Sequence, residues 1–257
     1  MGFFSSFDEA IDDVEEYWET KWNTFCDKVA ASGVLGTKFA DHVLRKLTVT
    51  APVILSFVLV CTVLHFIGGW SESVQRMLAV HDTWNTSRPL QYTSLVTHIF
   101  VHSSFGHLRG NMTHLLLVGP SVEHAFGSQN ISIIMMVVAI VSAFAHILVG
   151  NNYSHQLGAS GVVFACIVLN SLVGASHGKI PLAFVLVAVL YLGEELALFF
   201  NIWNPDGISH HAHLTGGIVG AVAGFYIHRQ QSKKVPVRAN TIANLWKSKP
   251  VLTKKKK

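Results

Sequence analysis

A chain of 257 residues in which 50% are hydrophobic and 13% are charged carries about half the charge of an average soluble domain, where about 25% of residues are charged. That balance sets aside an ordinary water-soluble enzyme and makes a bilayer the expected solvent. The formal net charge of +4 is informative only through its placement along the chain.

Residues 1–47 read as a cytoplasmic segment. Ser6 followed by Glu9 is a capping-box pair, and Phe7, Ile11, Val14, Trp18, Trp22 and Phe25 recur at helical spacing, so an amphipathic helix is predicted to begin near Ser6. Its polar face carries Asp8, Glu9, Asp12, Asp13, Glu15, Glu16 and Glu19. Anionic lipid would repel these carboxylates, so the helix is expected to pack on the protein's own membrane domain. No short apolar run with a small-residue cleavage site precedes residue 47, so the first span is expected to act as an uncleaved insertion signal.

Between residues 48 and 228 six stretches approach the roughly 20 apolar residues that cross about 30 Å of hydrocarbon. They lie near 50–69, 106–123, 131–150, 158–174, 180–200 and 211–228 and predict an all-α, polytopic membrane protein with six transmembrane helices. The second stretch is the least apolar, because it holds His107, Arg109, Asn111 and His114. Residues 71–105, broken by Arg88 and Pro89 yet containing Ile99, Phe100, Val101 and Phe105, are expected to form a long interfacial or partly embedded connection. The connections near 124–130, 151–157, 175–179 and 201–210 are short and contain Gly, Asn, Pro or Ser, as turns between packed helices should.

Residues 229–257 form a basic tail with Arg229, Lys233, Lys234, Arg238, Lys247, Lys249 and Lys254 to Lys257, the signature of a segment retained in the cytoplasm. Lys21, Lys28, Lys38, Arg45 and Lys46 precede the first span, and the loops assigned outside carry Arg76 and Arg88. An even number of crossings then places both termini in the cytoplasm, with the cell membrane the favoured location. The tail lacks interleaved aromatics beyond Trp246, so anionic lipid and not nucleic acid is its expected neighbour. Cys26, Cys61 and Cys166 are far apart in sequence and read as small core residues, with neither a disulfide framework nor a zinc site.

Three elements carry chemistry. Gly158-Ala159-Ser160-Gly161 opens the fourth span, and Gly161 would let a neighbouring backbone approach Ser160 closely. His213-Leu214-Thr215-Gly216-Gly217-Ile218-Val219-Gly220 opens the sixth. Its Gly216 and Gly220 form a helix-packing stripe, and His213 lies on roughly the same face. A serine and a histidine held across such an interface make a nucleophile and its general base. His107 and Asn111, at i and i+4 in the second span, share a face from which both can donate hydrogen bonds to a developing oxyanion. With the N-terminus inside, the second, fourth and sixth spans run the same way, so all of these residues fall at similar depth.

H-x-x-x-N in the second span, G-x-S-G opening the fourth and A-H-x-x-G-x-x-x-G opening the sixth together resemble the rhomboid intramembrane serine proteases, over about residues 50–228. The resemblance implies a six-span serine endopeptidase that uses no cofactor and cleaves in or next to transmembrane segments of membrane proteins. It casts Ser160 as nucleophile, His213 as base, and His107, Asn111 and the Ser160 N–H as oxyanion donors. The chain departs from the family at Thr93 and Ser94, where a Trp-Arg pair is usual, which bears on how the first loop embeds. Two rivals are a catalytically silent relative that binds membrane segments and a transporter whose polar residues line a pathway. Retention of both Ser160 and His213 argues against the first, and flux surviving Ser160→Ala would favour the second.

The other polar residues have structural readings. His98 and His102 lack the Glu of a metalloprotease H-E-x-x-H and are expected to make hydrogen bonds within the loop and to the wall of the site, with no metal. His65, His114, His124 and His146 read as interhelical or interfacial histidines, and His210 or His211 as candidates to line a water-filled entrance. Glu194 and Glu195 are expected to pair with polar neighbours, and Asp206 is not needed as a third catalytic member, because a dyad suffices. Substrate identity and oligomeric state are not legible.

Overall fold

The computed structural model describes residues 17, 20–29, 31–32, 49–69, 71–83, 85, 87, 89–149, 155–173, 179–193 and 210–233. Residues 20–29 are helical, but most of the predicted amphipathic helix, the basic tail beyond Lys233, Glu194, Glu195 and Asp206 lie outside the described residues. The described elements, in chain order, are helix α1 (Pro52–Leu64), continued by a π turn (His65–Gly69), α2 (Glu72–Leu78), strand β1 (Val80–His81), α3 (Pro89–Thr97) with a 3-10 turn (His98–Phe100), α4 (Phe105–Phe126), α5 (Ser128–Val149), β2 (His155–Gln156), α6 (Ser160–Leu172), α7 (Leu182–Val187), continued by a π turn (Ala188–Leu192), and α8 (His210–Lys233).

Each predicted span coincides with one of these helices, the fifth as far as its described residues go. Among the described residues one helix, Ser128–Val149, is by itself long and apolar enough to cross a membrane, while Pro52–Gly68, Ser160–Leu172 and Leu182–Leu192 are apolar but shorter. Helix α6 is the centre. Gly161, Val162, Val163, Ala165, Cys166, Val168, Leu169 and Leu172 are all buried, so it is covered on nearly every side, by α4, α5, α7 and α8. The outer helices bear the reverse pattern: Leu117 on α4, Leu148 on α5, Leu182 on α7 and Val222 on α8 are exposed. So large an apolar exterior suits lipid and not water.

The chain ends of these helices are tied down individually. Ala51, the N-cap of α1, supplies no side-chain cap, and Pro52 follows it at the first helical position. The N–H groups of Val53 and Ile54 donate instead to the Glu123 carboxylate on α4, at 3.0 and 2.9 Å, so a side chain from another helix satisfies the donors a helix start leaves open. Ser128 at the start of α5 donates to the same carboxylate at 2.6 Å. Gly127, with φ 83°, makes the turn between α4 and α5, a conformation that favours glycine.

The segment 71–105 is more ordered than an interfacial connection requires. It folds into α2, β1, α3 and the 3-10 turn, and β1 pairs antiparallel with β2, Val80 opposite Gln156 and His81 opposite His155. The expected turn at 151–157 therefore ends in a strand, and among the described residues this short two-stranded ladder sits in an otherwise helical fold, as the all-α expectation has it. Two-residue strands are too short to show alternation, so periodicity could not reveal them. Ser94, in the place of the family's usual arginine, is buried. Its hydroxyl donates to the Gln91 carbonyl at 2.7 Å and its own carbonyl meets His98 Nδ1 at 2.8 Å, which anchors α3 to the site below. Cys26, Cys61 and Cys166 are buried free thiols, as the core reading expects.

Candidate active site

Ser160 is the first residue of α6, partly buried, and follows a turn held from two sides. The Gly158 N–H donates to the His98 carbonyl at 2.8 Å, and the Ala159 N–H donates to His102 Nε2 at 3.3 Å. The second bond requires a lone pair on His102 Nε2, so that imidazole is neutral while the bond exists. His98 is also placed by Ser94 and, through Nε2, by Ser142 of α5 at 3.4 Å. Both histidines thus make the loop and wall contacts expected of them.

Gly158 has φ 114°, and a Cβ there would lie 2.6 Å from His107 Cε1 and 2.8 Å from its Nε2. Glycine is required on both counts, for the backbone conformation and for the imidazole pressed against it. Ser104 caps α4 by accepting from the His107 N–H at 3.1 Å, and Ser103 Oγ lies 3.1 Å from His107 Nδ1. With Nδ1 engaged, Nε2 is the nitrogen that faces the Gly158 turn. Asn111, one turn further along α4, is buried, and its Nδ2 has no hydrogen-bond partner among the described residues. That amide lies 3.7 Å from the position of a Gly158 Cβ. Arg109, between the two, is exposed, so the face reading of α4 holds.

On the other side of α6, α8 packs backbone to backbone. A Cβ on Gly161 would meet the Ala212 carbonyl at 3.0 Å, one on Gly216 would lie 2.9 Å from Gly161 Cα, and one on Gly220 would lie 2.9 Å from Ala165 Cα. The Gly216 and Gly220 stripe therefore seats on Gly161 and Ala165, a matching small pair one turn apart. This contact delivers His213, whose ring stacks on Phe164 with centroids 4.3 Å apart and planes 9° apart. Phe164 lies four residues after Ser160 and shares its face, so the imidazole is held on the serine side of α6. The fold thus sets His107 and Asn111 beside the Gly158 turn that opens into Ser160, and seats α8, the helix that carries His213, on Gly161 and Ala165 through Gly216 and Gly220.

Residues 89–230, 142 of the 257, match the family model described as the Rhomboid domain. The chain belongs to the rhomboid family. Among curated relatives, this rhomboid chain is 27% identical over 189 residues to the Rhomboid protease GlpG of Yersinia pseudotuberculosis serotype I (strain IP32953), covering 72% of the chain and 66% of the relative. It is 26% identical over the same length to the Rhomboid protease GlpG of Yersinia pestis (strain Pestoides F). It is 28% identical over 136 residues to the Rhomboid protease GluP of Bacillus subtilis (strain 168), covering 52% of the chain and 26% of that relative. The rhomboid chain thus spans slightly less than two thirds of the Yersinia proteins.

Several residues that hold the helices in place escaped the sequence reading. Phe164 had a signal, its i+4 spacing from Ser160, but an aromatic in an apolar span is ordinarily core. Gln156 and Glu123 act across 55 and 70 residues of chain, a range at which spacing says nothing. His211, a candidate to line an entrance, bonds to His146 and Gln156, and His210 is buried. His211 itself is partly exposed. Of the remaining histidines, His65 is buried, His124 is exposed, and His114, also exposed, has Nδ1 2.7 Å from the Gly110 carbonyl.

Proposed function

We propose that this chain is an intramembrane serine endopeptidase that hydrolyses peptide bonds in or next to transmembrane segments of membrane proteins, with Ser160 as nucleophile and His213 as general base. Ser160 Oγ attacks the scissile carbonyl carbon as its proton passes to His213. The tetrahedral oxyanion accepts hydrogen bonds from Asn111 Nδ2, His107 Nε2–H and the Ser160 N–H. Collapse expels the amine, which takes the proton from His213, and leaves an acyl-enzyme that water hydrolyses by the same steps. No cofactor is needed.

The observation that carries this reading is the buried Asn111 amide without a partner, set beside His107 at the turn that presents Ser160. A buried donor left unsatisfied costs about 1–3 kcal/mol, and such an amide invites a partner that arrives during the reaction. The relatives named as rhomboid proteases support the same chemistry. The reading includes six spans with both termini cytoplasmic, supported by the predicted stretches and the placement of lysine and arginine. It also includes substrates that unwind locally, since a helical amide is shielded by its own turn.

The test is labelling of the detergent-solubilised protein with a fluorophosphonate probe, together with cleavage of a model transmembrane substrate. Ser160→Ala and His213→Ala should each abolish cleavage while the protein stays folded, and the double variant should be no worse than either, because the groups act as a unit. Labelling or cleavage that survives Ser160→Ala overturns the assignment, as do losses that add.

A further inference from the structure

Three elements meet at the N-terminal end of α8 through side chains that the dyad chemistry does not use. His211 Nε2 lies 3.0 Å from His146 Nδ1 on α5 and 2.9 Å from Gln156 Oε1 on β2. An amide oxygen only accepts, so His211 Nε2 carries the proton, and His146 Nδ1 shares it as a second acceptor. The two imidazoles stack with centroids 5.0 Å apart and planes 25° apart. His146 and Gln156 are 2% and 3% exposed and His211 is part-buried, so the two acceptors are sheltered from water.

Their position gives them a consequence. Gln156 lies four residues before Ser160, and His211 lies two residues before His213. The Gln156–His211 bond therefore joins the strand entering the nucleophile's helix to the first turn of the base's helix. Further along, the two helices meet at Gly161, Gly216, Gly220 and Ala165, where smooth backbone contact brings them close but gives little direction along their axes. The hydrogen bonds supply that direction.

We propose that His211 is a positioning residue for the Ser160–His213 reaction, keeping the base's helix in register with the nucleophile's turn only while His146 Nδ1 keeps its lone pair. A proton added at His146 Nδ1 would set two N–H donors against each other at the position of the 3.0 Å contact, and the bond would break, whereas one added at His211 Nδ1 would leave it in place. Among the described residues the groups nearest the pair are Gln156 from β2, His98 from the 3-10 turn, and His210 and His213 on α8 itself. Each is neutral or can become positive, so none of them compensates an added charge. Cleavage is therefore expected to fall with acidity for two reasons, loss of the register and protonation of His213. The inference rests on the dyad reading above.

The test measures kcat and KM for a model transmembrane substrate against pH, on the full chain reconstituted in liposomes, for His211→Leu, His211→Gln, Gln156→Leu and Ser160→Ala. His211→Leu and Gln156→Leu should lower kcat about 10- to 100-fold, the scale of a sub-ångström to 1 Å misplacement, with KM little changed. His211→Gln can still donate to both acceptors, and its amide oxygen can accept from a protonated His146, so it should recover most of the rate and show a shallower acid limb than the wild type. If His211→Leu does not fold, Gln156→Leu carries the test from the nucleophile's side. Full activity of both Leu variants at every pH overturns the proposal, as does His211→Gln no better than His211→Leu. Complete loss in Ser160→Ala beside unaffected Leu variants sinks this inference alone. Activity in Ser160→Ala would sink the dyad and this inference with it.

Discussion

Helix α4 buries a polar side chain near each of its ends, and the two are treated in opposite ways. At one end the Glu123 carboxylate is surrounded by donors, two backbone N–H groups of α1 and the Ser128 hydroxyl. At the other the Asn111 amide nitrogen has no partner among the described residues. Burial is nearly the same, 2% for Glu123 and 7% for Asn111, so solvent cannot explain the contrast. A saturated polar group stabilises the resting fold and has nothing left to offer a ligand. An unsatisfied one costs stability and keeps its hydrogen bond for something that arrives.

Substitutions at the two ends should therefore separate stability from catalysis. The largest effect is expected at Glu123. Glu123→Ala orphans the N–H groups of Val53 and Ile54 in an apolar setting, at about 1–3 kcal/mol each, or roughly 2–6 kcal/mol in all. Thermal denaturation in detergent should show this as a large drop in Tm, while kcat per folded molecule changes little. A kcat loss in protein that stays fully folded would mean that the Glu123 end also serves the reaction.

Asn111→Ala should do the reverse. Removing an oxyanion donor lowers kcat by about 10²–10³, or about 2.7–4 kcal/mol of transition-state stabilisation, with little change in KM. Tm should hold or rise slightly, because the amide nitrogen gives up no bond of the resting state. A fall in Tm comparable to that of Glu123→Ala would erase the distinction. Ser128→Ala is a finer probe of the saturated end. It removes one hydrogen bond to a carboxylate, about 1.5–3 kcal/mol, and leaves both α1 bonds in place, so its Tm should fall between those of wild type and Glu123→Ala with kcat unchanged.

The two ends also differ in how well the sequence announces them. Asn111 is legible because His107 lies one turn before it, the motif opens a span, and an ionisable or amide group in such a span is functional by default. Ser160 and His213 are legible for a similar reason, each sitting beside glycines whose spacing gives a packing face. Glu123 shows no such pattern. It closes a predicted span, where a polar residue is unremarkable, and its partners are backbone N–H groups 69 and 70 residues away. What betrays the need for it is Pro52 at the start of α1 without a Ser, Thr, Asp or Asn before it, which signals a helix start lacking its own cap. The β1–β2 ladder and the His146–His211–Gln156 cluster are hidden in the same way, since both are made by residues that only the tertiary fold brings together.

The smallest effect is expected between the two ends, at Arg109, and it decides whether Asn111 was compared for the right reason. Arg109 is two residues from both His107 and Asn111, about 200° around the helix at 100° per residue. It is exposed where Asn111 is buried. Near the start of α4 a long side chain can lay its methylenes along apolar surface and reach the headgroups with its guanidinium, so its charge is tolerated without any part in the reaction. Arg109→Gln should therefore change both stability and the activation barrier by no more than about 0.5 kcal/mol, roughly twofold in kcat, as for an ordinary surface substitution. Assaying Arg109→Gln beside Asn111→Ala on one model transmembrane substrate, after their Tm values are matched, gives the comparison its sharpest form. A larger loss from Arg109→Gln than from Asn111→Ala would mean that the exposed face of α4 meets the substrate, and that the unpartnered amide is a packing defect and not a donor held for the oxyanion.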